Sequence, residues 1–230
     1  MPVPLPEPPA VEMAVVEMTN AFRRENKLAD VQPNADLSEV ARSYAAYIAK
    51  SGTFSHTADG REIGDRVTSG GYAWCSVAEN LAMHLDSRGF ESRALAKKSV
   101  EGWINSPSHR EAMLAPFATE TGVGVARMPD NNPKYVTVQI FARPQSLAYE
   151  FQISNATPRT VSYVFASERH TIEPKTGVTH NACAPGSLEF ETPGDIASAR
   201  YEASDGMVYE LAIDGKSAMT VTARPKVRID

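Results

Sequence analysis

The chain has only two cysteines in 230 residues, Cys75 and Cys183, too few for a disulfide framework. They admit one bridge or two buried free thiols. Because they fall in different halves, a bridge would staple the halves together, and it would need an oxidising compartment and Cα atoms within about 7 Å. Long apolar runs are also lacking: none approaches the roughly 18 to 20 residues of a membrane span, so the protein is expected not to be membrane-spanning. There is no surplus of positive charge. Split near Pro144, the chain carries 15 Lys and Arg against 17 Asp and Glu before the break, and 8 against 11 after it. Nucleic acid and anionic membrane are therefore not expected as partners on charge grounds. No HExxH helix and no serine-nucleophile motif is present. No charged-then-apolar leader precedes Pro2, which fits either a native start or a chain whose export signal has been removed.

What is present suffices for a real core. Apolar residues make up 42% of the chain, and the length allows two modest domains. Residues 1–9, "MPVPLPEPP", read as a Pro-rich extended lead-in. Residues 10–28 place Val11, Val15, Met18 and Phe22 on one helical face, and residues 36–51 do the same with Leu37, Val40, Ala41, Tyr44, Ala45 and Ile48. Asp36 with Glu39 is expected to form a capping box there, and Gly52 supplies the stop. From 52 to 89 the periodicity fails, although "SVAENLAMHL" has the spacing of a short helix. "FESRALAKKSVEGWI" resumes a helix that runs to a Ser-Pro break, where Ser106 caps a new helix and Pro107 takes its first position. "TGVGVARM" and "KYVTVQIFA" then predict a β-hairpin.

Residues 10–144 thus read as an α+β domain. Beyond Pro144 helical spacing is absent, and six short alternating runs punctuated by turn residues predict an antiparallel β-sandwich of about seven strands over 145–230. Asn155-Ala156-Thr157 fits a glycosylation acceptor, but a turn is the plainer reading.

Candidate chemistry gathers in the first domain. His56, Glu79 and His109 arrive from three separate segments and are groups that a divalent ion, or a general acid–base pair with an orienting carboxylate, would use. His109 falls in the first turn of its helix, where the dipole disfavours a second proton and keeps the ring neutral. His84 reads as a solvated or partner-facing residue, and Trp74 and Trp103 as core or cleft-wall aromatics. His170, His180 and Cys183 match no compact zinc pattern.

"FSHTADG", "AENLA", "WINSPSHREAML", "TGVGVA" and "YVTVQIFA", in this order over residues 10–143, resemble the bacterial SCP-domain branch of the CAP superfamily, which includes cysteine-rich secretory proteins, venom allergens and pathogenesis-related proteins. The resemblance implies an α-β-α sandwich with a cleft holding two histidines and acidic partners. His56, Glu79 and His109 occupy the matching places as metal ligands for Zn²⁺ or Mg²⁺, with Glu79 either a ligand or the group that orients a histidine. Where animal and plant members carry a second Glu after the Trp, this chain has Ser106, which implies weaker metal affinity or a water that completes the shell. Ala78 stands where the family often has Gly.

The resemblance favours a secreted or periplasmic, non-enzymatic module that binds a small apolar ligand or a protein partner, with the β domain as a docking unit. The alternative is a metal-dependent hydrolase in which Glu79 activates water. A third reading makes the first domain a scaffold for the β domain.

Overall fold

A computed structural model describes residues 5–129, 131–191, 200–214 and 218–226. The chain divides into two compact units, Met1–Ser146 and Leu147–Asp230. The lead-in's residues 1–4 lie outside the described residues, as does part of the turn-rich stretch before the last strand.

The first unit runs α1 (Pro8–Glu25), β1 (Gln32–Pro33), α2 (Ala35–Ser51), α3 (Ile63–Ser69), β2 (Trp74–Leu85), α4 (Ser92–Ile104), α5 (Pro107–Met113), β3 (Glu120–Arg127) and β4 (Lys134–Pro144). Its sheet has the order β1-β3-β4-β2, which leaves β2 at an edge. Strand alternation divides the core into two layers. Val136, Val138, Ile140 and Ala142 of β4 join a cluster with Leu37, Ala41, Tyr44 and Ile48 of α2. The intervening Tyr135 and Phe141 face the opposite cluster, with Val11 and Val15 of α1 and Leu95, Val100 and Trp103 of α4. The sheet is therefore covered on both faces by helices.

The glycines of "TGVGVA" set how closely α2 lies on the sheet. A Cβ on Gly122 would sit 2.2 Å from the Leu37 carbonyl carbon, and one on Gly124 equally near that of Ala41 at 2.2 Å. Any larger residue would drive the helix off β3. On the other face a polar line is sealed in the core: Thr19 donates to Gln139 Oε1 at 3.1 Å, and Gln139 Nε2 donates to Thr121 at 3.3 Å.

Three local expectations are corrected. "SVAENLAMHL" is not a helix but the centre of β2, paired antiparallel with β4 from Trp74 to Leu85. Its apolar residues fit both periods, and a long pairing register outweighs local propensity. The α2 cap is Asn34, whose Oδ1 accepts from Asp36 N at 2.9 Å and Leu37 N at 3.1 Å, so the Asp36/Glu39 box does not form. The helix simply begins earlier, and Asp36 complements the dipole in its first turn. Gly52 does end α2, at φ +75°. The segment read as irregular also contains α3.

The second unit contains β5 (Tyr149–Asn155), β6 (Val161–Phe165), β7 (Glu168–Ile172), β8 (Gly177–Ala182), β9 (Ser187–Glu191), β10 (Arg200–Glu202), β11 (Met207–Ile213) and β12 (Met219–Pro225). They form two four-stranded sheets, β10-β9-β6-β7 and β12-β11-β5-β8, around one core that includes Phe151, Tyr163, Phe190, Tyr209 and Leu211. Contrary to expectation the pairing is not antiparallel throughout, because β11 runs parallel to β5; sequence reading also missed β7 and β8. Asn155 is 1% exposed, and its Nδ2 donates to the carbonyls of Arg159, Ile172 and Glu173. It braces a turn from inside. Cys75 and Cys183 are both disulfide-bonded, and no described cysteine is free, so the reading as two free thiols is set aside.

Candidate functional site

Consecutive residues on a strand point to opposite faces, and the edge strand β2 uses this to hold a cleft from both sides. Glu79 reaches towards α3, while Asn80 turns to α5 and donates from Nδ2 to the His109 carbonyl at 2.9 Å. Trp103 of α4 is buried and donates from Nε1 to the Leu81 carbonyl at 2.9 Å, fixing α4 against the same strand. Beneath them Arg23 of α1 donates from Nη1 to the Met113 carbonyl at 2.8 Å and to the Ala115 carbonyl at 3.0 Å, which clamps the far end of α5. The helix carrying His109 is thus tied at its middle and its end.

On the α3 side the charges form a chain. His56 Nδ1 lies 2.9 Å from Glu79 Oε1. Arg66 Nη2 donates to both oxygens of Glu79, at 3.2 and 3.0 Å. Arg66 Nη1 donates to Asp59 Oδ1 at 3.0 Å, and Arg61 Nε donates to the other oxygen of Asp59 at 2.9 Å. The Glu79 and Arg66 side chains are 2% and 3% exposed, whereas that of His56 is 54% exposed. A buried carboxylate thus holds an exposed imidazole from below, and a buried guanidinium compensates the carboxylate. The Arg66 carbon stacks 3.6 Å from the Tyr44 ring centroid, and the Tyr44 hydroxyl donates to the Ser55 carbonyl at 2.6 Å. These contacts pin the loop that presents His56. Burial acts to raise the Asp59 pKa, but hydrogen bonds from Arg61 and the charges of Arg66 and Arg61 outweigh it and hold the carboxyl below its usual range.

On the α5 side, Ser106 sits at the N-cap in an extended conformation, yet its side chain makes no cap hydrogen bond. Its Oγ lies 2.8 Å from His109 Nδ1 instead. The expected cap residue is in place, but its hydroxyl serves the imidazole. Burial, and then the charge of His56, lower the His109 pKa. The ring is therefore biased to the neutral form, as expected, though from these two causes where the sequence pointed to the helix dipole.

The structure thus joins His56 to Glu79 and His109 to Ser106, and the two histidines are near enough to feel each other's charge. Both Glu79 oxygens are engaged, Oε1 with His56 and Arg66 and Oε2 with Arg66. Among the described residues no group of three or more His, Cys, Asp or Glu side chains is gathered as a metal set. His84 stays apart, with Nε2 buried and without a hydrogen-bond partner. Burial, then the Lys98 charge, push its pKa down. Trp74 is half-buried and donates to Thr68 Oγ1 at 2.9 Å. Sequence reading missed Arg66 and Asp59. "SHTADGRE" offered the signal for Asp59, whereas nothing in "GDRVTS" marks Arg66 as a buried residue.

Comparison with known proteins bears on the fold of the first unit. Residues 16–141, more than half the chain and all within the first unit, match the cysteine-rich secretory protein family, CAP. The uncharacterized membrane protein YlbC of Bacillus subtilis (strain 168) is 29% identical over 133 residues, covering 57% of this chain and 34% of that protein. The uncharacterized protein YkwD of the same organism is 31% identical over 117 residues, covering 50% of this chain and 42% of that protein. The chain therefore spans well under half the length of these curated relatives. An outer surface protein from Borrelia burgdorferi shares the fold with a TM-score of 0.50 at 22% identity, over 58% of this chain and 92% of that one. With helices on both faces of the sheet, the cleft at its edge and the ordered motifs all in place, the chain belongs to the cysteine-rich secretory protein (CAP) family.

Proposed function

We propose that this is a secreted or periplasmic CAP-domain binding protein that performs no chemical turnover, and that its cleft seats a divalent metal on the Nε2 atoms of His56 and His109. One observation carries the reading: each cleft imidazole has its Nδ1 against an oxygen, Glu79 for His56 and Ser106 for His109. A ligating histidine characteristically donates its other ring N–H to such a partner, which fixes the tautomer and directs the free lone pair outward. The donor set fits a metal of this kind. Imidazole nitrogen suits Zn²⁺, whereas Mg²⁺ prefers oxygen, so Zn²⁺ is the ion of choice. Glu79 and Ser106 act as orienting partners, and water fills the remaining positions. The bound ion would supply a fixed positive charge in the cleft.

Two disulfide-bonded cysteines support an oxidising compartment, and no described helix is long and apolar enough to cross a membrane. The ligand class remains a small apolar molecule or a protein partner. The hydrolase alternative asked Glu79 to activate water, and Glu79 is already committed to Arg66 and His56. Calorimetric titration of the full chain with ZnCl₂ and MgCl₂ tests the reading. One Zn²⁺ per chain is expected, with binding lost in a His56→Ala, His109→Ala double variant. Equal Zn²⁺ affinity in that variant would sink it.

A further inference from the structure

A cavity of about 340 Å³ opens between α2, the loop at 59–61 and the end of α3. Its wall includes Asp36, Glu39, Tyr44, Tyr47, Arg61 and Arg66, and neither cleft histidine lines it. The volume falls within the range of small-ligand sites. Asp36, Val40, Ser43 and Tyr47 follow one another at spacings of four, three and four, so they form one continuous stripe of α2. The floor is apolar and close: a Cβ on Gly70 would lie 2.3 Å from Val40 Cγ2.

The charges of this wall do not cancel. Asp59 is neutralised by Arg61 and Arg66, and Arg66 is also matched by Glu79. That leaves Asp36, which has no ion-pair partner among the described residues, and Glu39, whose neighbour Arg42 stands 3.9 Å away. Arg42 is itself held by Glu12 at 2.7 Å. Three carboxylates therefore line the cavity against two guanidinium groups, and the two from α2 are held only by the helix dipole and by the 3.9 Å contact with Arg42. Beside them stands the Tyr47 ring, 44% exposed. The neighbouring tyrosine on the same helix already stacks on a guanidinium, that of Arg66.

We propose that this cavity binds a guanidinium group on an alkyl stem: the head is drawn by Asp36 and Glu39 and lies against Tyr47, and the stem covers Val40. Cation–π attraction and carboxylate pairing favour such a head over any neutral isostere. The same group occurs on an arginine side chain of a partner protein and on a free guanidino-amine, and the probes distinguish these sources. Backbone amide shifts of the full ¹⁵N-labelled chain are followed during titration with N-acetylarginine N-methylamide, with agmatine and with 1-butanol. Saturable shifts centred on Ser43, Tyr47 and Ser69 are expected with the first two and not with butanol. A chain-borne source predicts that the blocked arginine binds at least as tightly as agmatine, and a free-amine source predicts the reverse order. Tyr47→Ala and Glu39→Gln change exposed side chains, so the fold is retained. Each should weaken binding about two- to fivefold, and together about tenfold. Equal shifts with butanol, no saturable shift with either guanidinium probe, or full affinity in the Tyr47→Ala, Glu39→Gln double variant would overturn the proposal.

Discussion

The molecule contains two pairs of neighbouring histidines, and they are built in opposite ways. In the first unit His56 and His109 are each tethered through Nδ1 to an oxygen, from a buried carboxylate and from a serine hydroxyl. In the second unit His170 and His180 are held by rings. His180 stacks on Phe151 with centroids 5.0 Å apart, His170 stacks on Tyr163 at 5.2 Å, and the two imidazoles meet edge to face at 5.2 Å. The His180 Nε2 is taken by the Tyr163 hydroxyl at 2.7 Å. The same residue type is a candidate ligand in one unit and a half-buried ring packed among aromatics in the other. The partner of Nε2 makes the difference: in the first unit the oxygen contact is on Nδ1, whereas in the second the Tyr163 hydroxyl occupies Nε2 of His180.

The contrast predicts where each unit is weakest. The largest effect should come from Arg66→Ala, which leaves Glu79 charged, buried and without compensation. A loss of about 3–5 kcal/mol is expected in urea unfolding of the first unit's signal. A loss below about 1 kcal/mol would mean that the buried charges are not what holds the His56 loop. In the second unit Asn155→Ala should cost about 1–3 kcal/mol, because carbonyls inside the turn lose their donor. Mass spectrometry of protein made in a glycosylating host should also find Asn155 unmodified, and a glycan there would refute its buried placement.

A smaller effect should follow pH. Burial, then the charge of His170, lower the His180 pKa in the folded state. The proton therefore binds the unfolded chain more readily. The stability this contributes is fully present above the unfolded value of about 6.5 and is lost as pH falls through the folded value. The thermal midpoint of the second unit should drop between pH 7.5 and 5, and His180→Phe should flatten that dependence. A midpoint that rises in acid would reverse the sign expected from burial. The smallest effect is the sharpest contrast: His170→Ala and His180→Ala should leave Zn²⁺ uptake by the full chain unaltered, and a loss there would move the metal to the wrong unit.

What could be read from the sequence follows from how local each signal is. The α1 and α2 stripes, Gly52, the Ser-Pro break and the β3–β4 hairpin are written in adjacent residues, and each is found where expected. The candidate site residues His56, Glu79 and His109 stood out as groups suited to metal or acid–base chemistry, and the ordered motifs are what grouped them. The β2 strand was hidden because its apolar spacing suits a helix as well, and only pairing with β4 decides between them. The strands β7 and β8 carry His170 and His180 at the sheet edges in largely exposed, polar sequence, so no alternating apolar pattern announced them. Arg66 escaped because burial of a charge depends on partners that are far away in the chain, here Asp59 and Glu79.

The tautomers of the two cleft histidines bear most directly on whether the cleft is built to hold a metal. Long-range ¹H–¹⁵N correlation spectra of the full chain at neutral pH measure them without any metal present. The prediction is an Nδ1–H tautomer for both His56 and His109, with Nε2 resonating as an unprotonated nitrogen that moves on addition of Zn²⁺, while His180 does not respond. An Nε2–H tautomer at His56 or His109, or Nε2 signals that ignore Zn²⁺, would contradict it.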